Sequence, residues 1–197
     1  MPDKWSQLGK TMEVSDDAMV LTKTSGGDFN IHVACEEVMS SGVHTWEVVI
    51  NSGAGTNGNR DMKIGVAKQG CNVEKGDHHT KDDAWYLRTH DACLYGGDLD
   101  LDDQEDLLVG RDVGRKKGKF FLVSDRVGMK LNCDEGSLTF YKNGEEFGIP
   151  FEAGTIKGPV VKAVELLCRG QSLTLVPDVE LPYAKKTDAD AEPSSSA

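Results

Sequence analysis

Between Val127 and Gly144 the apolar and polar positions alternate. Val127, Met129 and Leu131 share one parity, and Leu138 and Phe140 resume the pattern after Asp134-Glu135-Gly136. A period of two places such side chains on one face of a half-buried strand. Gly136 supplies the positive φ that a tight reversal needs. Asn143-Gly144 then signals a type I′ hairpin, because both central positions of that turn take positive φ. The stretch is expected to fold as an antiparallel meander of three strands.

The same pattern extends along the chain. Short alternating runs separated by Gly, Asn, Asp or Ser dominate and amphipathic helix patterns are scarce, which indicates an all-β sandwich or barrel. Strands are expected over residues 11–14, 18–23, 42–51, 62–68, 84–88, 92–95, 120–123, 126–132, 137–142, 160–166 and 172–176. Glu36-Glu37 could open a single helical turn at most. Three connections exceed what a hairpin needs: Asn51–Asp61, Gln69–Asp83 and Gly97–Lys119. Long loops on a rigid sheet framework are where binding usually resides. Residues 1–10 read as a lead-in, 11–182 as one sandwich domain and 183–197, ending in PSSSA, as a disordered tail.

Composition narrows the function. A length of 197 residues suits one domain with a sizeable core. The formal net charge of −11 should repel phosphate backbones, so neither nucleic acid nor an anionic membrane is an expected partner. Nothing approaches about 18 consecutive apolar residues, so no transmembrane helix is expected. The N-terminal MPDKWSQLGK lacks the apolar core of a secretory signal. Five widely spaced cysteines without a C-x-x-C favour free thiols in a reducing compartment, the cytoplasm, with the nucleus as the alternative.

Several motifs, taken in order, resemble one family. Gly42-Val43-His44-Thr45-Trp46-Glu47-Val48 is similar to the G-x-H-x-W-E-V entry strand of SPRY domains, and Ile64-Gly65-Val66 to their I-G-V strand. Trp85 with Leu94-Tyr95-Gly96 resembles the next hairpin. Asp125-Arg126-Val127-Gly128 with Asp134, and Gly136 through Asn143-Gly144, resemble the D-x-V-G-x-x-x-D strand and the G-x-L-x-F-x-x-N-G hairpin that follows it. Pro159 and Ala163 stand where the family has P-x-x-x-A, though Gly158 replaces a frequent aromatic. The match runs from about Met12 to Val176. It implies a bent, concanavalin-like sandwich of two antiparallel sheets, without catalytic activity, that presents loops at one end to a short peptide or a folded protein. The chain is expected to act as a monomer and to need no cofactor.

Each chemical feature has a sharp and a bland reading. Trp46, Glu47, Trp85, Phe140 and Tyr141 fall on strands, so a packing role outweighs a ligand cage. Asp77-His78-His79 near Cys71 invites a zinc hypothesis, but adjacent histidines project in different directions and four ligands at defined spacing are missing. No metal is expected there. The run Asp98–Asp106 has Asp103 where an EF-hand needs glycine and Val109 where it needs glutamate, so it reads as a solvated loop. Residues 52–58 lack the G-K-[ST] of a phosphate cradle. No G-x-S-x-G elbow marks a nucleophile. The binding loops are expected at Asn51–Asp61, Gln69–Asp83 and Glu165–Gly170, with Arg60, His78, His79, Glu165, Leu166 and Arg169 as partner contacts. A lectin-like glycan- or calcium-binding sandwich is the alternative function.

Overall fold

The computed structural model describes residues 3–26, 30–53, 62–76, 83–90, 94–96, 121–147 and 151–182, with the backbone alone for 30–36. Thirteen strands account for its regular structure, and no helix occurs among the described residues. One sheet has six strands in the order β1 (Trp5–Gln7), β4 (Asn30–Met39), β12 (Val160–Leu166), β6 (Met62–Lys68), β7 (Ala84–Arg88) and β8 (Leu94–Tyr95). The other has seven: β11 (Glu145–Glu146), β10 (Ser137–Lys142), β9 (Arg126–Asn132), β5 (Val43–Ser52), β13 (Ser172–Pro177), β3 (Val20–Lys23) and β2 (Met12–Val14). Every adjacent pair is antiparallel.

The meander forms in the expected register. Phe140 lies opposite Met129 and Leu138 opposite Leu131, so the period-two residues share one face. Gly136 has φ 70°, and Asn143 and Gly144 have φ 52° and 82°, which closes the Lys142–Glu145 hairpin as a type I′ turn. The apolar faces of the two sheets meet. Trp46, Val48 and Ile50 of β5 and Leu173 and Leu175 of β13 are buried on one side. Met62, Ile64 and Val66 of β6 and Val164 and Leu166 of β12 are buried on the other. Two lysines tie the layers together. Lys23 Nζ crosses from β3 to donate to the Leu166 carbonyl at 3.0 Å, and Lys162 Nζ of β12 lies 5.3 Å from the Trp46 ring centroid. All five motif side chains are buried: Trp46, Trp85, Phe140 and Tyr141 pack, and Glu47 accepts from Arg126 Nε at 2.6 Å.

Three differences from the sequence reading have physical causes. Glu36-Glu37 opens no helical turn, because residues 30–39 form β4, which β1 and β12 flank on either side. Residues 5–7, expected as lead-in, belong to the sandwich: Trp5 is buried and its Nε1 donates to the Met19 carbonyl at 3.0 Å. Residues 121–123 are not the strand expected over 120–123; the chain turns at 122–125, where Asp125 N donates to the Leu122 carbonyl at 3.0 Å and Leu122 N to Asp125 Oδ2 at 2.7 Å.

Candidate functional site

The strand ladders fix which connections share an end of the sandwich. Leu166 pairs with Met62 and Ser52 with Ser172, so β5 ends, β6 begins, β12 ends and β13 begins on one rim. Lys68 pairs with Val160 at the opposite end. Two of the three expected binding connections, β5–β6 and β12–β13, therefore share a rim. The β6–β7 connection starts from the far end.

On the first rim stands the turn at residues 121–125. Asp125 holds it from three sides. Its carboxylate accepts from Leu122 N at 2.7 Å and Asn143 Nδ2 at 2.9 Å, and lies 3.1 Å from Lys142 Nζ. Partial burial raises the Asp125 pKa, but these hydrogen bonds and the Lys142 charge outweigh it and hold the group below its ordinary value. Ser124 N donates to the Ile50 carbonyl at 2.8 Å and Phe121 N to the Thr89 carbonyl at 3.1 Å, so the turn is stitched to both sheets. The Phe121 ring is buried, 4.7 Å from that of Phe147. The geometry drives Phe121 inward and leaves Leu122 and Val123 outward, 43% and 53% exposed.

The neighbouring turn carries Arg169. Buried Gln171 accepts from Leu167 N at 2.7 Å and Cys168 N at 2.8 Å, and Gly170 N donates to the Lys23 carbonyl at 2.7 Å. Arg169 is thus an exposed guanidinium on a pinned backbone. Glu165 and Leu166 are not exposed contacts. β12 sits inside its sheet between β4 and β6, and its ladder runs through Leu166, so both side chains are fully buried. Glu165 instead pairs with buried Lys63 at 2.8 Å. Tyr86 packs nearby; burial first, then the Glu165 charge, pushes its phenol well above the ordinary tyrosine value. Arg60, His78 and His79 lie outside the described residues.

Sequence reasoning missed Leu122 and Val123, because an apolar run of four before Ser124 reads as strand. The φ of 75° at Ser124 ends it, and no glycine announces that bend.

At the opposite end the sheets part around a cleft of about 300 Å³, lined by Glu37, Val43, His44, Lys162, Asp178 and Glu180 among others. Lys162 is its buried hub. The ammonium binds Asp3 Oδ2 and lies 3.0 Å from Glu37 Oε2. Glu37 Oε1 is 3.2 Å from His44 Nδ1, and His44 Nε2 lies 2.9 Å from the Ser41 carbonyl. Burial raises the Glu37 pKa, but Lys162 and then His44 outweigh it and hold the carboxyl below its ordinary value. Burial has the larger hand at Asp3 and raises that carboxyl despite Lys162. Cys71, Cys133 and Cys168 form no disulfide among the described residues.

A two-layer antiparallel sandwich with pinned surface turns defines a class of scaffold that recognises by its connections. The sequence profile of the SPRY domain matches residues 43–177, and the chain belongs to that family. SPRY domains are generally protein-interaction modules. The fold is similar to the SPRY domain of human HERC1 (TM-score 0.63, 19% identity, covering 85% of this chain and 93% of that one). It is also similar to the PSpry domain of TRIM65 (TM-score 0.60, 15% identity, 89% and 92%) and to a human SPRY domain (TM-score 0.56, 19% identity, 87% and 98%). No curated protein matches the chain by sequence.

Proposed function

We propose that the chain binds a peptide or folded protein through the rim that carries the 121–125 and 167–171 turns, acting by binding and not by catalysis. The observation that carries this reading is the pair Leu122 and Val123. Both are apolar and exposed on a turn whose backbone is bonded to each sheet. Anchors held in place before binding lose little entropy on association, and a few such side chains dominate interface energy. Arg169 adds a planar cation suited to carboxylate or aromatic partners. Arg60, His78 and His79 stay in the proposal as contacts from the other two connections. Five widely spaced cysteines without a C-x-x-C favour a reducing compartment, the cytoplasm or nucleus.

The test is affinity capture from the native cell with mass spectrometry, comparing wild type with Leu122→Asp/Val123→Asp and with Arg169→Glu. Mapping of captured proteins on peptide arrays follows. Loss of the same captured proteins from both variants, with melting temperatures unchanged, supports the rim. Undiminished capture by both variants moves the site elsewhere.

A further inference from the structure

The cleft at the far end calls for its own ligand. Lys162 contributes no free positive charge to it, because Asp3 and Glu37 take its ammonium at the buried floor. What faces outward is anionic. Glu37 spends one oxygen on Lys162 and the other on His44, whereas Asp178 and Glu180 are exposed and hold no ion pair among the described residues. Beside these carboxylates stands Val43, 54% exposed at the start of β5, and Val179 adds a second apolar wall. The walls are fixed. Thr45 Oγ1 donates to the Val179 carbonyl, and Gly42 N donates to Asp134 Oδ1 at 3.0 Å.

We propose that this cleft is a second binding site, distinct from the Leu122 rim, that takes the side chain of a lysine or arginine from a partner protein. Such a side chain combines an aliphatic stem with a cationic head. The stem lies along Val43 and Val179, and the head meets Asp178 and Glu180. An anionic ligand would meet these two carboxylates and no unneutralised lysine. The volume, near the lower end of ligand pockets, suits one side chain better than a larger molecule.

The probe is Nα-acetyl-arginine amide, titrated into the full ¹⁵N-labelled chain by NMR. Its near-isosteric, uncharged citrulline analogue serves as control. Saturable shifts centred on the amides of Val43, Thr45, Val179 and Glu180, given by the arginine probe alone, are expected. The surface double variant Asp178→Asn/Glu180→Gln should weaken binding about fivefold, the combined effect of two exposed ion pairs. Glu145→Gln/Glu146→Gln, on edge strand β11, should leave binding unchanged. Equal shifts with citrulline, shifts spread over the whole acidic surface, or no loss in the Asp178/Glu180 variant would each overturn the proposal.

Discussion

Replacing Asp125 with alanine should loosen the turn that displays Leu122 and Val123 while leaving the sandwich folded. The carboxylate accepts a backbone hydrogen bond from Leu122 and a side-chain bond from Asn143, and pairs with Lys142. Hydrogen bonds to charged groups contribute about 1.5–3 kcal/mol each, less where solvent screens them. The Asp125 side chain is 15% exposed and that of Lys142 23%, so the ion pair adds about 0.5 kcal/mol at most. Water replaces part of what is lost, and the net cost is about 2–3 kcal/mol. In a chain of this length that lowers Tm by about 4–12 °C. Urea denaturation of wild type and Asp125→Ala measures the difference. Amide exchange at Ser124, which donates to Ile50, and at Leu122 shows whether the loss is local. The pH dependence gives a further check. Asp125 titrates below its ordinary value when folded, so its contribution is complete above about pH 4 and is lost as pH falls through the lower folded value. The gap between wild type and variant should be flat from about pH 5 to pH 8 and shrink in acid. A gap below about 0.5 kcal/mol with unaltered Ser124 exchange would refute the reasoning, since the backbone bonds alone would then hold the turn.

Asp3 should show the opposite slope: burial raises its folded pKa, so its stabilising share is present below the ordinary carboxyl value and lost as pH rises through the folded one. The stability of wild type minus that of Asp3→Asn, from urea melts, should therefore fall between acid and neutral pH. Glu165→Gln leaves the buried Lys63 ammonium without its carboxylate and should cost about 3–5 kcal/mol, whereas Lys63→Met/Glu165→Leu should recover most of it in thermal melts. Gly128→Ala sets a Cβ 2.9 Å from Leu181 Cδ1 and 3.0 Å from Tyr141 Cβ, so it should cost about 1–3 kcal/mol, and Leu181→Ala in the same chain should relieve part of that.

The expected bounds match β6, β7, β9, β10 and β12 to the residue: period-two alternation marks β9 and β10, whereas β7 is a short apolar run ended by Arg88. The sequence is silent on β1, three residues long, which pairs with β4, and it announces β11 by the Asn143-Gly144 turn without giving its two-residue extent. β4 escaped notice because its alternation breaks at Glu36-Glu37, near a register shift opposite Val160 and Lys162. The site was less legible than the fold. Arg169 sits where its exposed, pinned turn is usable, but a glutamate near a strand end reads as surface. Only the burial of Lys63, about a hundred positions away in the chain, makes Glu165 an interior residue. Leu122 and Val123 escaped for the converse reason: nothing local tells an apolar strand from an apolar turn.

β5 runs ten residues from Val43 in the cleft to Ser52 at the rim. That sets a ruler of about 30 Å between the rim and the cleft. On the proposed two-site reading, a single extended segment of about nine residues spans the gap. A ligand that engages both ends would dissociate far more slowly than one holding either alone, because a released end stays tethered close to its site at high effective concentration.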